Sequence, residues 1–375
     1  MALNVNLLLS TQPSYRLSQI HKAWFDVNTI SYNQITTLPK DLREQLKNIP
    51  WLTVKEKTIL KSKLDDTCKT LLELTDGNTI ESVLMGREGK KQNFEKEKRY
   101  TICLSTQVGC PMKCSFCATG QMGFKRNLTA EEIIDQYRFW QRYLAENKQG
   151  EIANVVLMGQ GEPFLNYDNV KEALNIILKN TEIGPRKITV STVGIKAGLE
   201  KMLIDKDWPP IRLAISLHST IEKTRAKIIP SHQTGFLEFL IDWAKKYHLA
   251  FPSRTHFIGL EYILLLNIND SELELKALKK FASQLGRVRI NLIPFNRSTA
   301  VCHSERSEES LSQKTLGQRS LAMARDDNNI GFASTALSTA EHWRDTLIKA
   351  GFITTIRRSQ GQDIFAACGQ LQNIL

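Results

Sequence analysis

The sequence predicts an α/β protein built on a parallel sheet, open or closed into a barrel, behind a small helical segment. Two observations predict this class. Short apolar runs alternate with amphipathic helical patterns through most of the chain, which is typical of strands joined by crossover helices. In addition, 375 residues with 42% hydrophobic content are enough to bury a large core.

The strand candidates are the apolar runs bounded by polar or turn residues. They are Thr101–Gln107, Asn154–Met158, Lys187–Thr192, Ile211–His218, Leu260–Leu266, Val288–Pro294 and Phe352–Arg357. Helical patterns lie between them, such as Thr129–Glu146, which opens with a capping-box pattern, and Ser271–Leu285. Chemistry in such folds lies at the carboxyl ends of the strands, so we expect the site there.

We predict two domains, with a boundary at the turn Asp76-Gly77-Asn78. Residues 1–76 read as short helices broken by turn signals, and we interpret them as a helical accessory domain. Residues 77–375 form the predicted core, in which an extended run and a charged, hairpin-like segment precede the first strand of the alternation. Between about 297 and 334 the periodicity disappears, which predicts a flexible surface insertion.

The charge balance suits a polyanionic partner. Fifty Lys and Arg residues against 39 Asp and Glu residues give a net charge of +11. Nucleic acid is a reasonable candidate, although many basic proteins bind none. No apolar stretch reaches the ~18 residues of a membrane helix, and no basic region precedes the short apolar run at the N-terminus, so we expect a cytoplasmic protein without a membrane partner.

The seven cysteines are odd in number and unevenly spaced, which favours metal ligation, catalysis or reduced thiols over disulfides. Cys110, Cys114 and Cys117 form a tight triad after the first predicted barrel strand. Such a loop can wrap three corners of a cubane iron-sulfur cluster, leaving one iron for S-adenosylmethionine (SAM) to chelate. Zinc is less favoured because no fourth ligand follows at a suitable spacing, and plain thiols are the remaining alternative.

The triad has the CxxxCxxC spacing of the radical SAM signature, and the residues around it narrow the family. The stretch Cys103–Cys110, the turn Met158–Pro163 and the tail Asp363–Leu371 resemble the bacterial adenine C2 methyltransferases of 23S rRNA and tRNA, the RlmN family. The resemblance runs from about Gly77 to Leu371, except for the insertion. It implies a partial (βα)6 TIM-like radical SAM barrel behind the N-terminal helices.

The resemblance also implies the cofactors and partners. They are a [4Fe-4S] cluster, two SAM molecules per turnover, 23S rRNA and tRNA as substrates, and an electron donor such as flavodoxin. We also expect a monomer. The expected reaction is methylation of adenine C2 through an S-methylcysteine intermediate and a transient disulfide.

Two further cysteines and one acid match catalytic positions of the family. The C2 carbon of adenine is electrophilic and cannot attack a sulfonium methyl, so the resemblance implies that Cys368 carries the methyl group and is then made a radical. Cys103 matches the cysteine that attacks the sulfur of Cys368 and releases the product. Glu81 matches the proton acceptor. Without this context, inert buried thiols and an exposed strand Glu are the ordinary interpretations.

The predicted SAM contacts follow successive strands. Gly159 and Gly161 would let the backbone approach the methionyl part of SAM, and Glu162 would accept hydrogen bonds from its ammonium group. A Gly-x-Gly turn alone is weak evidence. The resemblance adds further SAM contacts at Ser191, Ser216, Leu217, His218 and Asn296.

RNA contacts are harder to assign, because phosphate binding needs only clustered Lys and Arg residues. The clusters are Lys90, Lys91, Lys96, Lys98 and Arg99, then Lys125 and Arg126, and finally Arg357 and Arg358. The target adenine must also be unstacked to expose C2. Two alternatives stay open, namely methylation of adenine C8 by a sister activity, and a non-catalytic iron-sulfur protein that binds RNA.

Overall fold

The protein is described from a computed structural model, which describes residues 5–86, 98–253, 256–297 and 331–373. The helices in these ranges are α1 (Val5–Leu8), α2 (Ser14–Trp24), α3 (Lys40–Leu46), α4 (Ala118–Gln121), α5 (Ala130–Glu146), α6 (Tyr167–Asn180), α7 (Lys196–Ile204), α8 (Glu222–Ile228), α9 (Phe236–Ala250), α10 (Glu272–Gln284) and α11 (Leu337–Lys349). The strands are β1 (Val54–Lys61), β2 (Thr67–Leu74), β3 (Thr79–Gly86), β4 (Arg99–Cys103), β5 (Gln107–Gly109), β6 (Phe124–Asn127), β7 (Glu151–Leu157), β8 (Ile188–Thr192), β9 (Arg212–Ser216), β10 (Ile258–Leu264), β11 (Val288–Pro294) and β12 (Ile353–Ile356).

Ten of these strands form one sheet in the order β1-β2-β3-β4-β7-β8-β9-β10-β11-β12. Every neighbouring pair from β4 to β12 is parallel. The connections carry α5, α6, α7, α9, α10 and α11 in turn, which gives six successive strand-helix units. This confirms the predicted partial (βα)6 barrel, to which β12 adds one more parallel strand.

Helix α5 shows how the local sequence and the sheet agree. The Thr129 hydroxyl accepts a hydrogen bond from Glu132 N at 3.1 Å, and the Glu132 carboxylate accepts one from Thr129 N at 2.9 Å, so the predicted capping box is present. The helix buries Ile133 and Trp140 completely. Each such side chain contributes roughly 1.5–3 kcal/mol. Trp140 Nε1 also donates to the Ser82 hydroxyl at 2.9 Å, which ties the helix to β3.

The prediction of short helices over residues 1–76 is wrong for the second half of that segment, which forms β1 and β2. Strands β1 and β2 pair antiparallel, and β2 pairs antiparallel with β3, so this segment extends the barrel sheet. Most residues of β2 are buried, and pairing with β3 therefore outweighs the local helical pattern. The predicted domain boundary falls in the turn between β2 and β3, and a division into two folding units there stays a prediction.

Two predicted irregular segments lie largely outside the described residues. The residues not described are 87–97 in the charged segment and 298–330 in the insertion. At the predicted end of the insertion, Phe332 and Ser334 lie against the barrel. The Phe332 ring lies 5.9 Å from that of Phe295, and Ser334 forms a bridge with Leu265.

A tail after β12 returns across the sheet towards the N-terminal strands. The Asp363 carboxylate accepts hydrogen bonds from the Ser62 hydroxyl and from Lys63 N, both at 2.7 Å. Farther along, the Thr119 hydroxyl donates to Leu371 O at 2.7 Å. The tail therefore joins the β1–β2 turn to the loop after β5. In the described part of the chain, no helix is long and apolar enough to cross a membrane.

Candidate active site

The cysteine triad lies on the loop between β5 and β6, which pair as a small antiparallel ribbon. Cys110 N donates to Gly123 O at 2.8 Å, and Cys117 N donates to Cys114 O at 3.1 Å, so the loop closes on itself. Gly109 has φ +76°, and a Cβ atom there would lie only 1.9 Å from Gly123 O. Glycine is therefore required at the start of the loop.

The three thiols are half-buried and line one cavity of 160 Å³. Within the described ranges, no three His, Cys, Asp or Glu side chains are arranged to hold a single metal ion. A zinc site requires such convergence, whereas a cubane cluster takes one thiolate for each iron. Three thiolates in one loop match the donor set of such a cluster, with one iron left for a ligand.

Burial dominates the titration of the free triad thiols. It raises the pKa of Cys110 to about 12, and it also raises the pKa values of Cys114 and Cys117. The neighbouring thiols add to each shift, because like charges disfavour ionisation. Iron cations would reverse this balance, since a thiol that coordinates a metal is deprotonated.

The two glycines in the turn after β7 are also required by packing, in addition to the SAM contact that the sequence predicted. A Cβ atom at Gly159 would lie 2.7 Å from Leu104 O, and one at Gly161 would lie 2.6 Å from the Gln107 side chain. The close approach is therefore to the segment that leads into the triad loop. Both glycines also line the triad cavity.

Glu162 lines the same cavity, and both of its carboxylate oxygens already accept hydrogen bonds. Oε1 accepts from Phe164 N at 2.9 Å, and Oε2 accepts from Val193 N at 2.8 Å. Burial raises the pKa of Glu162, and these backbone donors and Thr192 oppose the shift. Each oxygen keeps a second lone pair, so Glu162 organises two loops and can still accept from a ligand.

Three of the predicted SAM contacts from β8 and β9 share the triad cavity, namely Ser191, Ser216 and His218. The two serine hydroxyls lie 3.2 Å apart. His218 Nδ1 accepts from Ile263 N at 3.1 Å, and burial lowers the pKa of His218 to about 3. Its imidazole is therefore neutral at physiological pH, with Nε2–H as a donor.

The other two predicted contacts lie elsewhere. Leu217 is completely buried and lines neither this cavity nor the next one. Asn296 lines the next cavity, where its side-chain amide donates to Cys368 O at 3.4 Å and accepts from the Gln362 amide at 3.1 Å. Asn296 therefore positions the tail in this structure.

Cys103 and Cys368 meet in this second, larger cavity of 380 Å³. Cys103 is buried at the end of β4, and Cys368 is exposed on the tail. Burial and the nearby Cys368 raise the pKa of Cys103 to about 12, against the opposing charge of Arg357. Cys368 also lines the triad cavity, so it stands where the two cavities adjoin.

Arg357 lies inside the site. Its guanidinium donates to Glu261 Oε1 at 3.2 Å, and its side chain lines both cavities. Burial alone would lower the pKa of Arg357, but Glu261 and the thiols of Cys368 and Cys103 outweigh it and raise that pKa. The sequence suggested an RNA phosphate contact here, whereas the structure places this cation beside the two cysteines.

Glu81 is completely buried, so the alternative of an exposed strand Glu is wrong. Its Oε1 pairs with Lys69 Nζ at 2.9 Å, and its Oε2 accepts from Gln372 N at 2.9 Å. Glu81 lines neither of the two cavities. Its role as a proton acceptor stays a prediction.

The basic residues predicted to contact RNA have different surroundings. Arg126 donates to both Glu132 oxygens at 2.8 Å and to Asp76 at 2.6 Å, so it serves an internal ion-pair network. Arg358 is exposed and lines the larger cavity. Lys90, Lys91 and Lys96 lie outside the described residues.

Sequence reasoning missed three buried charges, Lys69, Arg225 and Glu261. Arg225 Nε donates to Leu217 O at 3.1 Å, and an Arg225 terminal nitrogen donates to Val193 O at 2.7 Å. It therefore fixes the chain beyond β8 and β9, where the predicted SAM contacts lie. For Glu261 a signal existed, since it is the single charge within the strongly apolar strand β10.

Comparison with known proteins agrees with this geometry. Residues 104–277 match the family model described as the Radical SAM superfamily. The chain is 36% identical to a "Probable dual-specificity RNA methyltransferase RlmN" of Pseudothermotoga lettingae, over 96% of this chain and 91% of the relative. It is 34% identical to the "Dual-specificity RNA methyltransferase RlmN" of Lawsonia intracellularis, over 98% and 93% respectively.

A solved structure is similar over nearly the whole chain. It is a radical SAM methyltransferase from Sphaerobacter thermophilus, with a TM-score of 0.78 and 29% sequence identity. The match covers 98% of this chain and 96% of the other. The likeness therefore includes the N-terminal strands and the tail as well as the barrel.

Proposed function

The chain belongs to the RlmN family of radical SAM dual-specificity RNA methyltransferases, and on that premise we propose that it methylates C2 of adenine in 23S rRNA and tRNA. It is a radical SAM enzyme whose cofactors are a [4Fe-4S] cluster and SAM. The observation that carries the proposal is the position of Cys368. This thiol lies where the triad cavity adjoins the cavity that contains Cys103.

Cys110, Cys114 and Cys117 would hold three irons of the cluster. When bound, the cluster supplies the electron for reductive cleavage of SAM. Glu162, Ser191, Ser216 and His218 surround the remaining space of the same cavity, and they are the proposed SAM contacts. Their hydroxyl, imidazole and carboxylate groups offer both donors and acceptors to a zwitterionic ligand.

Cys368 acts first as a nucleophile in this proposal. Its thiolate takes a methyl group from one SAM by displacement, and S-adenosylhomocysteine leaves. The methyl carbon would then lose a hydrogen atom to the 5′-deoxyadenosyl group that reductive cleavage of a second SAM supplies, and bond to adenine C2. Cys103 completes the cycle by attacking the Cys368 sulfur, so that a disulfide forms and the bond from Cys368 to the bridging carbon breaks. Their shared cavity supports this exchange.

Arg357 assists the Cys103 thiolate through its positive charge, which opposes the cost of ionising a buried sulfur, and it lines the same cavity as Cys368. Glu81 would accept the C2 proton. Because Gln372 N and Lys69 hold its carboxylate, the end of the tail has to move before Glu81 can reach a substrate.

The larger cavity is the proposed site of the target adenine. Its volume of 380 Å³ is within the range of small-molecule pockets. Four cations line it and suit a nucleotide with its phosphates: Lys187, Arg212, Arg357 and Arg358. We also propose a cytoplasmic monomer that receives electrons from a donor such as flavodoxin.

The proposal is tested by replacing Cys368 with Ala in cells that lack any other adenine C2 methyltransferase. We expect 2-methyladenosine to disappear from 23S rRNA and tRNA, because no thiol remains to carry the methyl group. Cys68→Ala is the matched control, since Cys68 lies in β2 and lines neither cavity. Persistence of 2-methyladenosine in the Cys368→Ala cells, or 8-methyladenosine as the wild-type product, contradicts the proposal.

A further inference from the structure

Glu261 is a buried acid that neither the predicted site nor the mechanism above uses. It lies within β10, where it pairs in register with Ser216 on β9 and with Asn291 on β11. Only 4% of its side chain is exposed. The side chain nevertheless lines the cavity that contains the three cysteines of the triad.

The two carboxylate oxygens of Glu261 have different surroundings. Oε1 accepts from the Asn291 side-chain amide at 2.8 Å and from Arg357 at 3.2 Å. Oε2 is equally buried, yet no group in the described part of the chain donates a hydrogen bond to it. Because burying a carboxylate oxygen without a hydrogen-bond donor is costly, we expect a bound ligand to donate a hydrogen bond to Oε2.

The position of Glu261 indicates where that donor comes from. Glu261 lines the triad cavity but not the larger cavity with Cys103 and Arg358, so it faces the SAM side of the site. Glu162, the other acid in the triad cavity, already binds Phe164 N and Val193 N. Glu261 Oε2 is therefore the carboxylate oxygen with the greatest need of a ligand donor.

We propose that Glu261 is a further SAM-binding residue, whose Oε2 accepts a hydrogen bond from a ribose hydroxyl or the ammonium group of SAM. This rests on the proposed function, since it takes SAM as the occupant of the triad cavity. Glu261 also holds Arg357, which lines both cavities beside Cys368. One carboxylate thus contacts the methyl donor and orients the cation beside the methyl carrier.

The test measures SAM binding by equilibrium dialysis to the cluster-loaded protein, without reductant and without RNA. Glu261→Gln should weaken binding by about tenfold to a hundredfold, the usual effect of losing a hydrogen bond to a charged group. Glu274→Gln is the matched control, because Glu274 is equally buried in the barrel but lines neither cavity. It should bind SAM as the wild type does.

Analogues identify the donor on SAM. If a ribose hydroxyl donates, 2′-deoxy- or 3′-deoxy-SAM will bind the wild type and Glu261→Gln equally well. If the ammonium group donates, the difference between the two proteins will persist with both analogues. Either result supports the proposal.

Two results would overturn it. One is wild-type affinity for SAM in a Glu261→Gln protein with normal cluster content. The other is an equal loss of affinity in Arg357→Met, which would show that Glu261 acts only through Arg357.

If Glu261→Gln fails to load the cluster, Glu261→Asp replaces it, because it keeps the charge and withdraws the carboxylate by one methylene. A wild type that binds SAM but methylates no RNA would refute the proposed function and leave this inference standing.

Discussion

Lys69→Met should lower the free energy of unfolding by about 3–5 kcal/mol, the usual cost of removing one partner from a buried ion pair. The Lys69 and Glu81 side chains are 2% and 0% exposed, and their charged atoms lie 2.9 Å apart. Without Lys69, the Glu81 carboxylate is left buried without its counter-charge. Lys69 also donates to Phe365 O at 3.2 Å, so the substitution loosens the tail that carries Cys368.

Lys57→Met is the matched control for this substitution. Lys57 pairs with Glu73 across β1 and β2, but the two side chains are 46% and 34% exposed. Solvent screens such a pair, and its loss should cost less than about 1 kcal/mol. Both values come from urea or guanidinium unfolding curves of purified, cluster-loaded protein, compared at equal slope.

The double variant Lys69→Met/Glu81→Leu separates the ion pair from the packing. Replacing a buried pair by apolar side chains is often neutral or stabilising, so the double variant should recover most of the lost stability. The reasoning is refuted if Lys69→Met costs no more than Lys57→Met, or if the losses at Lys69 and Glu81 simply add.

Three further predictions concern the cysteines, the triad loop and a buried histidine. Cys103→Ala should trap the enzyme covalently on RNA through Cys368, because no thiolate remains to release the product. A denaturing gel with labelled RNA shows the adduct. Free product with no adduct would refute the role of Cys103. Gly109→Ala should lower cluster content severalfold, since its Cβ would lie 1.9 Å from Gly123 O; iron analysis measures this, and normal loading would show that the loop can rearrange. Burial lowers the pKa of His21 to about 4. As the pH is lowered from 6.5 to 4, the unfolded chain therefore takes up a proton at His21 while the folded protein does not. The free energy of unfolding should decrease over that range. Unfolding curves of His21→Phe should show a shallower fall, and an unchanged slope would exclude His21 as the cause.

The local sequence determined the barrel core well. Strand β11 has the predicted bounds Val288–Pro294, and α5 begins with its predicted capping box. These elements are encoded by contiguous residues, whose periodicity and end signals hardly depend on distant partners. The triad is equally local, because one short loop supplies all three thiols.

The N-terminal strands were not predictable in this way. Strands β1 and β2 gain their stability from pairing and burial against β3, which a local pattern does not show. Leu217 and Asn296 were carried over by motif; they lie outside the triad cavity, and their contacts with SAM stay predictions.

The sequence by itself determined the chemistry, because CxxxCxxC and its flanking motifs specify thiolate ligands at fixed spacing. Only the tertiary structure decided which charges face that chemistry. The sequence does not reveal the partners of Lys69, Arg225 and Glu261, and only the fold shows that Lys69 pairs with Glu81 and that Arg225 donates to Val193 O. The fold also leaves Glu261 Oε2 buried without a donor in the described part of the chain. The physical reason is desolvation, since a charge removed from water must be satisfied by groups that only the fold brings near.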